Sequence, residues 1–182
     1  MAVYTTIDDP AEFFQVAQWT GNSTNRSITL PADADMQPDM VLIKEYSSAN
    51  ENDWVLQDSV RGTSVFLSTR TDTAETSSST VVTAFNSDGF SLGVADAVNM
   101  NTASCIGFCW KESATAGFDI VSYTGNATAR TISHNLSAVP HTIWCKERSA
   151  NAPFGNQAWS IYNKSLTANK YMVFNATQAE AD

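Results

Sequence analysis

Charged side chains are scarce in this 182-residue chain: 10 Lys+Arg and 19 Asp+Glu make up 16% of it, where soluble domains usually carry about a quarter. The formal charge of −9 argues against a surface for nucleic acid or an anionic membrane, because both need a cationic face. No apolar run approaches the roughly 18 residues that cross a bilayer. The start, MAVYTTIDDPAEFF, lacks the basic and apolar regions of a secretory signal, so a soluble, non-exported product is expected. Cysteine is rare and odd in number: Cys105, Cys109 and Cys145. Four residues apart on one strand, the first two would hold their Cα atoms about 13 Å apart, too far for a disulfide. All three read as reduced core thiols. Neither His134 nor His141 has a partner at zinc-ligand spacing, so no metal is expected.

What fills the chain instead is neutral polar residues. Ser (20), Thr (20) and Asn (14) favour strands and turns over helices, while an apolar share of 43% supplies a core and excludes disorder.

The sequence repeats itself. Trp19-Thr20-Gly21-Asn22 returns as Tyr123-Thr124-Gly125-Asn126, and Arg26-Ser27-Ile28 as Arg130-Thr131-Ile132. Pro38 followed by VLIKE (41–45) is answered by Pro140 followed by TIWCKE (142–147), Trp54 by Trp159, and Ala74-Glu75 by Ala179-Glu180. Matches in one order over about 60 residues indicate a duplicated unit. The first copy runs on through VVTAFNSDGFSLG (81–93) and ASCIGFCWKE (103–112), for which the second has no counterpart before Asp182. A truncated product, a longer protein, or a sheet completed by another chain would each account for this, and a piece of a longer chain is the reading preferred.

Period-two alternation between turn residues predicts strands near 15–20, 26–30, 40–46, 53–57, 64–69, 81–85, 90–92 and 103–111, then 118–124, 130–134, 142–147, 158–162 and 170–175. Only Asp9 to Gln18 offers a short helix, with Pro10 in the first turn. The predicted fold is all-β: antiparallel β-sandwich units, jelly-roll or lectin-like, in tandem. The divisions are an N-terminal arm (1–17), a first unit (18–112), a linker (113–117) and a second, incomplete unit (118–182). Trp54, Trp110, Trp144 and Trp159 read as core, and Trp19, before a turn, as nearer the surface. Burying Phe13 and Phe14 would contribute about 1.5–3 kcal/mol each, against about 1–2 kcal/mol for every residue ordered. An arm so poor in apolar contacts is therefore expected to order only against a neighbour, with Tyr4, Phe13 and Phe14 as its assembly contacts.

The sequence holds little recognisable chemistry. Asp33, Asp35 and Asp39 lack the glycine and bidentate glutamate of a calcium loop, since Pro38 and Lys44 occupy those positions. Ser133 and Ser137 lie near the histidines without a nucleophile elbow or a triad order, and Asp8-Asp9 beside Glu12 reads as a solvated arm rather than an acid/base pair. The six NxS/T triplets read as chance in an Asn-, Ser- and Thr-rich chain. No catalytic, metal or cofactor residue is assigned.

The blocks YTTIDDPAEFFQ (4–15), DMQPDMVLIKE (35–45), DSVRG (58–62), FNSDGFSLG (85–93) and GFCWKESATAGFDIVSYTGNATARTISHNLSAVP (107–140) resemble a family of structural proteins of tailed bacteriophages, common in marine phages and described as tail-fibre-like or virion appendage proteins. The resemblance implies a non-enzymatic virion component that anchors through its N-terminal part. Such a protein is assembled in the host cytoplasm, exposed on the particle, and partnered by other virion proteins and copies of itself. Two alternatives stand beside it: a module binding host-surface glycans, and a capsid decoration or head-fibre protein.

Overall fold

Burial alternates residue by residue along Phe14–Thr20 and Ser104–Trp110, whereas Met40–Glu45 and Val55–Asp58 are buried almost throughout. In the computed structural model, which describes residues 7–50, 52–149, 157–166, 169–174 and 176–177, Asp9 caps a single 3-10 turn at Pro10–Glu12 by accepting from the Ala11 N–H. The chain then goes directly into β1 (Phe14–Thr20). Next come β2 (Arg26–Thr29), β3 (Met40–Glu45), β4 (Val55–Asp58), β5 (Val65–Ser68), β6 (Thr76–Ser77), β7 (Val82–Asn86), β8 (Gly89–Leu92), a four-residue helix α1 (Asp96–Asn99) and β9 (Ser104–Trp110). Six strands form one sheet in the order β1-β9-β3-β4-β5-β6, and β2-β8-β7 form the facing one, with every pair antiparallel.

Between the sheets lie Trp19, Val41, Ile43, Val55, Val82, Phe90, Leu92, Cys105 and Cys109. The absent side chain of Gly107 makes room for an indole: a Cβ there would come within 3.1 Å of the Trp19 ring. Trp19 is consequently 8% exposed, with its Nε1–H donating to the Val98 carbonyl, and is not the surface residue its turn-side position suggests. Fully buried Gln57 joins the sheets. Its Nε2 donates to the Val82 carbonyl and its Oε1 accepts from the Val82 N–H, both at 3.0 Å, where β7 shifts register against β8. Both ends of the amide are satisfied, as burial requires.

The expected arm is shorter than its sequence suggests. Phe14 to Ala17 belong to β1, where Ala17 is 3% exposed. Phe13 accepts from the Lys111 N–H through its carbonyl. Asp9 to Gln18 therefore forms one turn and then a strand, because β9 offers it a seven-residue ladder.

The second copy supplies β10 (Thr142–Cys145), β11 (Ser160–Asn163) and β12 (Met172–Val173), a three-stranded antiparallel sheet. Its pairing repeats the first copy residue for residue. Leu42 faces Leu56, which faces Leu67; Trp144 faces Ile161, which faces Met172. Ile43, Val55 and Ser68 correspond in the same way to Cys145, Ser160 and Val173. The turn after the first strand is repeated too. Asn22 and Asn126 each accept from the N–H two residues on, and Ser23 and Ala127 take φ of 52° and 56°. Residues 118–124 and 130–134, expected as strands, have no ladder. Their counterparts explain why: β1 pairs only with β9, and β2 only with β8, and among the described residues of the second copy no strand takes either place.

Candidate functional site

The outward face of the six-stranded sheet is unusually aromatic. Trp54, Phe108 and Trp110 stack in a row at centroid spacings of 6.2 Å, and Phe14 and Phe118 flank Trp110 at 5.1 and 6.3 Å. Strand alternation puts them there. Ile106, Phe108 and Trp110 point away from the core that Cys105, Gly107 and Cys109 enter. A turn at Ser113 to Phe118 folds Phe118 and Ile120 back over part of this face. Beside them the small sheet of the second copy inserts Trp159 among Met40, Leu42, Leu56 and Leu67. Its indole is 5% exposed and donates to the Ser68 carbonyl at 2.8 Å.

Polar bonds tie down the rim of this contact. Arg148 reaches Glu75 with Nε and Nη2 at 2.9 and 3.0 Å, and Arg61 holds the same carboxylate from the first copy at 3.2 Å. Burial pushes the Glu75 carboxyl up, but the two guanidinium groups outweigh it and hold the pKa below 4.5. Lys146 donates to the Asp72 carbonyl across the same junction.

Two adjoining clefts of about 330 and 440 Å3 share Trp54 and Arg70, and the second reaches the junction through Phe174. Tyr46, Ser48, Asn50 and Asn52 line the first; Leu42 and Phe174 line the second. The cleft loop is strapped by Glu45, 1% exposed, which accepts from the Ser47 and Ser48 N–H groups, Ser48 Oγ and Asn52 Nδ2. Burial alone would raise its pKa, yet these four bonds lower it to about 2. Glu45 is an internal anion spent on the loop.

Of the residues singled out from sequence, Tyr4 lies outside the described residues. Phe13 is half-buried and Phe14, 40% exposed, ends the aromatic row against Trp110. Asp39 accepts from Ser59 Oγ and the Glu112 N–H, while Asp33 and Asp35 are exposed. His134 accepts from the Leu136 N–H, and His141 lies 3.1 Å from Lys164 Nζ. No group of three potential metal ligands occurs among the described residues. Burial pushes the thiols of Cys105 and Cys109 up to about 11 and 12, so both are core groups. Cys145 is exposed instead of buried, and Trp144 is 41% exposed, because no second sheet covers β10 among the described residues. Sequence reasoning missed the cleft around Trp54. No local signal marks it, because Phe174 and Trp54 line one cleft only through the docking of the second meander on the first.

Comparison with known proteins identifies no curated protein and no solved structure similar to this chain. A family model does match, over residues 9–182 and therefore over both copies of the repeat: the chain belongs to the DUF7483 family, a domain of unknown function.

Proposed function

We propose that this chain is a non-enzymatic structural protein of a bacteriophage virion, a tail-fibre or appendage component whose sandwich is a rigid spacer and whose outer layers bind other virion proteins. The observation that carries the reading is the uncovered second layer. Among the described residues twelve large apolar side chains are exposed, and eight of them follow residue 120, including Ile143, Trp144, Tyr162 and Met172. Apolar surface gathered in this way marks an interface. The phage resemblance of the sequence blocks supplies the setting. Mass spectrometry and immunogold labelling of purified particles test it: the chain is expected on an external appendage, and its absence from particles would overturn the reading. Anchoring by the N-terminal part is tested by deleting residues 1–8, which leaves the Asp9 cap, the 3-10 turn and β1 in place. Normal incorporation of that form would remove Tyr4 from the anchor.

A second reading, glycan binding, has one observation in its favour. The cleft at Trp54 joins two aromatic side chains to Ser48, Asn50, Asn52 and Arg70, the mixture of ring faces and hydrogen-bonding groups suited to a sugar. Glycan-array binding lost on Trp54→Ala would support it; binding that survives the substitution would not.

A further inference from the structure

We propose that the open edge of β10 is a strand-acceptor site, filled by a neighbouring polypeptide that adds an antiparallel strand patterned like β9, in the register β9 holds on β3. The inference deepens the assembly reading by naming the kind of partner. In the first copy, β3 has β4 on one edge and β9 on the other. In the second copy, β10 has β11 on the matching edge, and among the described residues no strand on the other. Because β3-β4-β5 and β10-β11-β12 share one register, the missing neighbour can be placed residue by residue. Val41, Ile43 and Glu45 face Cys109, Gly107 and Cys105. Ile143, Cys145 and Glu147 would face the same three positions of the incoming strand.

The backbone agrees. The Lys164 N–H donates to the His141 carbonyl, just as the Ser59 N–H donates to that of Asp39. His141, Ile143 and Cys145 thus turn their backbone groups towards β11, and Thr142, Trp144 and Lys146 turn theirs to the open edge. In the first copy the matching groups on β3 are used by β9, and the same ladder ends with the Tyr46 N–H donating to the Ser104 carbonyl. All four residues of β10 are exposed. An unpaired edge of this kind is a template for another strand.

A second observation comes from residues 118–124. They repeat β1, whose sole strand partner is β9, and 121–124 lie exposed with no ladder. A strand added to β10 would give them the partner they lack. The incoming strand should alternate as β9 does, with small residues or thiols on the side of Ile143 and Cys145, and large apolar ones on the side of Trp144.

The test uses the full chain carrying Ile143→Cys and Cys145→Ser, so that the one exposed thiol among the described residues faces position 109 of the added strand. The probe is a synthetic peptide of residues 103–112 with Cys105→Ser and its native Cys109. Pairs that exchange no hydrogen bonds hold their Cα atoms about 4.5 Å apart, within disulfide reach. In a glutathione buffer this peptide should cross-link at least tenfold faster than peptides with the thiol moved to 108 or 110. Peptide binding to the unsubstituted chain, followed by fluorescence anisotropy, should weaken at least tenfold on N-methylation at 106 or 108, whose N–H groups face β10. N-methylation at 107, whose N–H faces away from β10 towards 118–124, should weaken it less. Equal cross-linking at all three positions, or no binding, overturns the proposal. Disulfide dimers through position 143 that form ahead of the peptide adduct also overturn it, since they give the edge to a second copy. Absence of the chain from particles would sink the assembly reading and leave the peptide result untouched.

Discussion

The two three-stranded meanders of this molecule have the same register and opposite fates. Val41 and Ile43, on β3, are fully buried in the core between the two sheets; Ile143, at the position of Val41, is 48% exposed. Local pattern and pairing are therefore enough to set strand register, and a second sheet is needed to turn apolar side chains into a core. That difference can be broken most sharply at matched positions. Ile43→Ala should cost about 2–5 kcal/mol of stability, the range for a large-to-small change in a packed site. Ile143→Ala should cost under about 0.5 kcal/mol. Chemical denaturation of both variants checks this, and equal costs would mean that the second layer is packed in solution.

The next effect concerns the join between the copies. Trp159→Ala should remove about 3 kcal/mol from the docking of the second meander, and hydrogen exchange should quicken across 142–173 while 14–110 keeps its protection. Uniform loss over both regions would show a single cooperative unit. Trp159→Phe keeps the ring and strands the buried Ser68 carbonyl, at about 1–3 kcal/mol.

Acid should loosen the join as well. The folded pKa of Glu75 lies below its ordinary 4.5, so its contribution is fully present above pH 4.5 and is lost as the pH falls through the folded value. Exchange rates of the β10–β12 amides should rise over that acid range in the unsubstituted chain, and the rise should be smaller in Glu75→Gln. An exposed arginine partner keeps the effect small, about 1 kcal/mol or less.

Much of the first sandwich was legible in the sequence because its strands alternate and its turns carry Gly, Asn or Asp. All eight predicted strands of that copy form, and the one unpredicted strand, Thr76–Ser77, is two exposed residues on a sheet edge. What sequence could not show was dependence on distant partners. Residues 118–124 alternate as β1 does, yet a strand exists only where another completes its ladder. Trp19 is interior because Gly107, 88 positions later, leaves a hollow for its ring. Cys145 sits on an alternating strand and stays exposed, since no sheet among the described residues faces it. The aromatic row was visible as single tryptophans, but its continuity required the pairing of β1, β9 and β3.

The shared register also shapes how the chain folds. While it collapses, β9 meets two edges that present the same geometry, β3 and β10. Native pairing joins Met40 to Trp110, 70 positions apart, whereas the matching contact with Thr142 would span only 32. Closing the shorter loop costs less entropy and happens sooner. A newly made chain must therefore undo or avoid a premature hairpin between β9 and β10, and the burial of Cys105, Gly107 and Cys109 beneath β8 is what makes the slower pairing the final one.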